Sequence, residues 1–315
     1  MRQLGRRRFL GSAAAGVAAL LLGPAHSSAQ AAAKTRLILL GTKGGPSIST
    51  NTGRHLPSQV VIVGGAPYVV DCGLGVTGQL VRAGIDIRKL RHILITHHHS
   101  DHDLEYGNLL YTAWVQGLAT PVDAWGPPPL AAMTEQFFAL NQYDIATRMA
   151  DEGRSDPRGL VHVHEFSAGG VVLENADVTV TAALLPHPPV TPNFGYRFDA
   201  ADRSIVISGD TAYSEATIAL AKDADVLVHE AMHEQGTARL AQRFGNAARL
   251  MEHLKAAHTT TEDVGRVAAA AHVKLLVLSH LVPGDDPSIT DEMWSAGARE
   301  HYKGPIIVGR DLMEI

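Results

Sequence analysis

Four imidazoles and a carboxylate fall within six residues in the run Ile95-Thr96-His97-His98-His99-Ser100-Asp101-His102. The run follows an apolar stretch with strand character, His92-Ile93-Leu94-Ile95. Folding alone has little use for that density of polar rings. Borderline divalent metals do, because imidazole suits zinc and carboxylate oxygens complete its shell. In extended backbone His97 and His99 point the same way. Asp101 and His102 are adjacent and aim at different points. Two residues for one ion and two for a second, with the remaining ligands from elsewhere, is the economical arrangement. Two metals roughly 3.5–4 Å apart can clamp the attacking and leaving oxygens of a hydrolysis. His98 faces away from His97 and His99, so it packs or supports a ligand from behind.

The chain has 315 residues and 45% hydrophobic content, enough for one large core or two small ones. Its N-terminus reads as a targeting segment. Arg6-Arg7-Arg8-Phe9-Leu10 fits the twin-arginine pattern, and a small-residue apolar stretch follows from Gly11 to Gly23. Cleavage near Ala29 or Ala31 would leave a domain over residues 33–315. The apolar stretch is too short and too rich in Ala and Gly for a span of roughly 20 residues. The expectation is therefore a periplasmic or secreted protein with no stable membrane association after cleavage. Removing residues 1–29 takes away four arginines and no acid, which moves the formal charge from −5 to −9. A polyanion meets an unfavourable long-range field there, so nucleic acid is an unlikely partner on charge grounds.

The single cysteine, Cys72, rules out an internal disulfide. It follows the strand-like Tyr68-Val69-Val70-Asp71 and reads as a small buried residue at a strand end.

Apolar alternation and turn residues predict strands at 36–41, 59–63, 67–71, 91–96, 161–166, 171–173, 178–185, 194–198, 204–208, 225–229, 275–279 and 306–308. Helical patterns fit 76–83, 103–116, 130–149, 214–221, 238–257, 261–271 and 291–301. Strands with helices interspersed in both halves suggest two sheets packed face to face with helices outside, an αββα sandwich of the α/β class. His162 and His164 share one face of their strand, with no third ligand nearby, and read as a solvent-side pair.

Three later residues stand at the ends of apolar strands, where loops converge on a site: His187, Asp210 and His280. With the histidine run they complete a seven-residue set. His229-Glu230-Ala231-Met232-His233 formally matches HExxH, but that chemistry needs both histidines on one helical face. Val226-Leu227-Val228 reads as a strand, which breaks the geometry. Glu230 or His229 then supports a ligand from behind.

The set, with its HxHxDH signature and Ser208-Gly209-Asp210-Thr211, resembles the metallo-β-lactamase superfamily over essentially the whole chain after the N-terminal segment. The resemblance implies one zinc on His97, His99 and His187, a second on Asp101, His102 and His280, and Asp210 bridging. Histidine and carboxylate ligands also suit Mn and Fe. Three features are similar to the branch of ribonuclease Z and its arylsulfatase relatives: Phe194-Gly195-Tyr196-Arg197, His229-Glu230-Ala231 and His258-Thr259-Thr260. That branch makes His258 the candidate proton donor. Asp101 would also orient the attacking hydroxide. Bacterial ribonuclease Z carries a basic arm that grips tRNA between the positions of His187 and Asp210. Here only a strand pair fills that space.

Together these features give the expectation of an exported two-zinc hydrolase of a small sulfate or phosphate ester, arylsulfatase-like or phosphodiesterase-like. The alternatives are lactone or β-lactam hydrolysis, a ribonuclease Z-type endoribonuclease, and a non-catalytic metal-binding protein. Relatives in the branch allow a homodimer.

Overall fold

The computed structural model describes residues 34–315. The twin-arginine motif and the cleavage region lie outside the described residues. Among the described residues thirteen strands form two sheets. The first runs in the order β1 (Arg36–Gly41), β2 (Ser58–Val63), β3 (Ala66–Val70), β4 (His92–Leu94), β5 (Val122–Gly126) and β6 (Val161–Glu165). The second holds β7 (Gly170–Glu174), β8 (Val178–Leu184), β9 (Phe194–Ala200), β10 (Ser204–Ile207), β11 (Val226–Met232), β12 (Leu276–Val282) and β13 (Ile306–Val308), again side by side in chain order. In each sheet an antiparallel half joins a parallel half: β1 to β3 and β7 to β10 are antiparallel, the later pairings parallel.

The layers follow from which faces are apolar. Leu37, Val61, Tyr68 and Leu94 of the first sheet pack on Val180, Phe198, Ile205 and Val228 of the second, which makes the inter-sheet core. The outer face of the first sheet packs beneath the helices Val76–Arg82 and Tyr106–Val115. The outer face of the second is covered by Thr261–Ala270 and Asp291–His301. This is the expected αββα sandwich. The sheets are also tied at the strand end that feeds the histidine run: Tyr196 Oη donates to Ile95 O at 2.7 Å, and Phe194 N donates to Thr96 O at 3.0 Å.

The departures lie in the helices. The pattern at 130–149 divides into Leu130–Leu140 and Gln142–Glu152 around Asn141, whose amide donates to Phe137 O at 2.8 Å. The bend brings buried Ile145 against Trp114 and Phe138. The pattern at 238–257 divides into Glu234–Ala241 and Ala247–Ala257. The one at 103–116 divides into Ser100–Asp103 and Tyr106–Val115. Between those last two, Glu105 turns its carboxylate to the amides of Gly75 and Thr77. Among the described residues no helix is long and apolar enough to cross a membrane.

Candidate metal centre

β4 ends at Leu94, and the histidines lie between it and a short helix that starts at Ser100. His99 sits before that helix with φ −98° and ψ 147°. The result is the alternation expected from sequence. His97 Nε2 and His99 Nδ1 face one another at 3.1 Å, and His187 Nε2 lies 3.1 Å from the same His99 nitrogen. His98 points away, with Nδ1 2.8 Å from Asp103 Oδ2 and Nε2 2.8 Å from Pro127 O.

A second group forms alongside. His102 Nε2 is 3.6 Å from Asp101 Oδ2, and His280 Nε2 is 3.5 Å from the same oxygen. Asp210 joins the two groups. Its Oδ1 lies 3.4 Å from His102 Nε2 and 3.0 Å from His280 Nε2, while Oδ2 lies 3.8 Å from His187 Nε2. One carboxylate thus turns one oxygen to each group. Ligand-grade atoms of His97, His99, His187 and Asp210 all lie within 4.8 Å of one another, as do those of Asp101, His102 and His280. All seven residues singled out from sequence meet at one place.

The donor atoms fit a cation better than they fit each other. Nε2 of His102, Nε2 of His280 and Oδ1 of Asp210 are sealed from solvent with no hydrogen-bond partner among the described residues. Leaving such groups unmet costs about 1–3 kcal/mol each, so a built site normally supplies a partner. Burial disfavours the imidazolium at His97, and it brings His187 down to about 4, so these rings offer free lone pairs. At Asp210 burial opposes the charge, but the imidazoles of His280 and His102 outweigh it and hold the carboxyl well below its ordinary range.

The outer nitrogens are also fixed. His97 Nδ1 meets Thr96 Oγ1 at 3.0 Å, and His187 Nδ1 meets Ala257 O at 2.8 Å. His102 Nδ1 meets Asp71 Oδ2 at 2.8 Å, and Asp71 in turn accepts from Thr96 N and Thr96 Oγ1. Such partners set the tautomer and the ring direction. Asp101 Oδ2 accepts from Gly45 N at 2.9 Å. Sequence reasoning placed Asp71 only at a strand end and assigned it no part in the site. No motif marks it, because its role depends on a neighbour 31 positions away.

β12 does not stop at Ser279 as expected; it continues to Val282. Glu230 pairs with Ser279 and Ala231 with Leu281, so His280 is the unpaired extra residue of a bulge, with φ 43°. Bulges of this kind re-aim a side chain next to a site. β11 covers Val226–Met232, so the HExxH residues begin on a strand, and His229 is buried away from the metal groups. Glu230 points the other way. Its Oε2 lies 2.8 Å from His258 Nδ1, and its Oε1 accepts from Thr211 N at 2.6 Å. Burial opposes a charged His258, but the Glu230 carboxylate more than compensates and lifts its pKa to about 9. With Nδ1 committed to Glu230, Nε2 is the nitrogen that can release a proton. His258 Nδ1 is 3.9 Å from Asp210 Oδ2, at the edge of the cluster.

A family model described as "Beta-lactamase superfamily domain" matches residues 67–281, a span that takes in every residue of the cluster. The chain belongs to the metallo-β-lactamase superfamily. Among curated relatives of this superfamily member, a Ribonuclease Z of Mycobacterium bovis is 32% identical over 282 residues, covering 89% of this chain and 97% of that protein. A Ribonuclease Z of Mycobacterium sp. strain KMS is 34% identical over 279 residues, covering 88% and 94%. Solved structures share the fold. A metallo-β-lactamase fold protein, YhfI of Bacillus subtilis, superposes with a TM-score of 0.65 at 18% identity, covering 89% of this chain and 98% of that one. The short form of human tRNase Z superposes with 0.64 at 21% identity, with the same coverage. The His/Asp cluster of this metallo-β-lactamase fold is a divalent-metal site and the protein a metal-dependent hydrolase of ester bonds.

These relatives overturn two expectations, the small-molecule ester as partner and the exclusion of nucleic acid. The missing arm does not separate this chain from its relatives, because the match spans 97% of the M. bovis protein and leaves little room there for a long insertion. Net charge misled for a physical reason. It averages over the whole surface, whereas a phosphodiester meets the local field, to which divalent ions contribute charges absent from any residue count.

Proposed function

We propose that the protein is a two-zinc endoribonuclease of the ribonuclease Z type, hydrolysing phosphodiester bonds in RNA. The observation that carries this reading is the carboxylate of Asp210, with one oxygen toward each of two histidine groups. It is supported by relatives named Ribonuclease Z that match over nearly their whole length.

On this reading His97, His99 and His187 would hold one zinc and Asp101, His102 and His280 the other, with Asp210 available to both groups. Zinc bound there supplies Lewis acidity and a water whose pKa falls toward about 7. The residues do the rest. Asp101, fixed by Gly45 N, orients the attacking water toward phosphorus. Asp71 and Ala257 O keep His102 and His187 from rotating. His258, held charged by Glu230, passes its Nε2 proton to the leaving oxygen as the P–O bond breaks. Thr259 Oγ1, donating to Thr211 O at 2.5 Å, ties the His258 segment to the Asp210 loop, so acid and bridging ligand stay in register.

The twin-arginine motif at Arg6-Arg7 supports export of this enzyme in folded form, with metal captured beforehand. Fractionation of cells producing the full chain tests that part: recovery only from the cytosol, uncleaved, overturns it.

The function itself is tested by incubating zinc-loaded protein with a precursor tRNA transcript and with an unstructured oligoribonucleotide. Cleavage of either, abolished by chelation and restored by zinc, is the expected result. Protein carrying two metals per chain that cuts neither overturns the reading.

A further inference from the structure

An apolar groove of about 590 Å³ opens beside the metal cluster. One wall is the segment from Lys43 to Ile48; the other comes from the helices Glu234–Ala241 and Ala247–Ala257 and the turn between them. Leu250 and Leu254 stand one helical turn apart on the second helix, and His258 follows one turn later, so that face of the helix leads to the proton donor. At the other wall Gly45 N holds Asp101, and a Cβ on Gly44 would come within 2.6 Å of the His280 ring. The Gly44–Gly45 backbone thus lines the groove on one side and touches the metal ligands on the other.

Two large apolar side chains stand open at its lips: Ile48 is 69% exposed and Phe244 51%. Left bare, such surface is a liability, and beside a reaction centre it marks a binding subsite. The groove is not simply greasy. Lys43 lies along its wall, 3% exposed, and its ammonium donates to the carbonyl oxygens of Gly44 and Gly45 with the Asp101 and Asp285 charges nearby. Arg243 lies at the rim, exposed. The two acids in the lining are already engaged: Asp285 accepts from the Ser49–Thr52 turn, and Asp286 from Arg239 and Ser288. An aromatic lip, an aliphatic floor and an exposed guanidinium at the rim match a flat base attached to phosphate.

We propose that this groove is the subsite for a nucleotide flanking the scissile phosphodiester, with its base stacked on Phe244 and the adjoining phosphate on Arg243. The proposal rests on the RNA reading of the site. Base–aromatic stacking of this kind is worth about tenfold in binding, and it tolerates any base.

The test is a cycle of two substrates and two proteins. Zinc-loaded wild type and Phe244→Ala are given an oligoribonucleotide with every base present, and the same strand with an abasic ribose on one or other side of the cleaved bond. Loss of the base should lower wild-type kcat/KM about tenfold at one of the two positions and lower that of Phe244→Ala by little. Equal losses in both proteins at both positions overturn the proposal. Titration with 2-aminopurine riboside 5′-monophosphate reads the groove without catalysis. Its fluorescence should quench on wild type and far less on Phe244→Ala, with circular dichroism showing that the variant is folded. Quenching without RNA cleavage sinks the RNA reading alone. Identical binding to both proteins sinks the groove.

Discussion

Asp71 and His102 stand 31 residues apart in the chain and share a 2.8 Å hydrogen bond that no solvent reaches, Asp71 Oδ2 to His102 Nδ1. Asp71 itself sits in the left-handed region at φ 59°, a conformation that a non-glycine residue keeps only where its surroundings enforce it. The two Thr96 donors supply that constraint. The first prediction concerns this pair. Asp71→Asn should keep the fold, because the amide oxygen still accepts from Thr96, yet metal affinity should fall about 10–100-fold. Competition with a fluorescent zinc chelator measures it; unchanged affinity would remove Asp71 from the site.

Asp210→Ala takes one oxygen from each histidine group at once. Metal analysis of the purified variant should find less than one zinc per chain. His187→Ala, which touches one group, should retain about one. Equal stoichiometry in the two variants would deny Asp210 its bridging position.

His258→Ala should leave metal content intact and lower turnover on RNA about 10²–10⁴-fold. The deficit should shrink on phosphodiesters whose leaving group is a good one, since these need no proton. An equal deficit on both kinds of leaving group would assign His258 a structural role.

If His258 is the acid, Glu230 should set the pH range over which it works. Its carboxylate raises His258, so the proton is present below the raised pKa and lost as pH rises through it. In Glu230→Gln the raising charge is gone, so the alkaline limb of kcat should move to lower pH by about one unit or more. A limb that stays in place would mean that another group titrates there.

Away from the site, Asp225 accepts from Ser204 N, Ser204 Oγ and Lys274 Nζ at 2.7–2.9 Å. Burial works against its charge, but these donors outweigh it and hold the pKa to about 2. An unfolded aspartate titrates near about 3.9, so this contribution to stability is complete above pH 4 and fades as pH falls toward 2. Asp225→Asn should therefore lower Tm by about 2–4 °C at pH 7. The gap between variant and wild type should close by pH 2; a constant gap would argue against the linkage.

What could be read from the chain alone depended on locality. His97, His99, Asp101 and His102 announce themselves because four ligands are packed into six positions. His187 and Asp210 were legible as polar residues closing apolar strands. Asp71 was not, and the bulge that aims His280 was not, because both depend on pairing with residues far away in sequence: Thr96 and His102 for one, Glu230 and Ala231 for the other. The helix at 130–149 failed for the same reason. Its periodicity is continuous, but Ile145 is buried against Trp114 only if the chain bends at Asn141. The substrate class was the largest miss, since net charge carries no information about where on the surface the charge lies.

The metal-binding residues come from both sheets. The histidine run hangs from β4 of the first, whereas His187 and Asp210 follow β8 and β10 of the second and His280 lies on its β12. Neither sheet by itself supplies all the residues of either ligand group. Metal capture is therefore a late event in folding, available only after the two halves have met. A bound ion would then act as a rivet through the sandwich, and its release would precede separation of the layers.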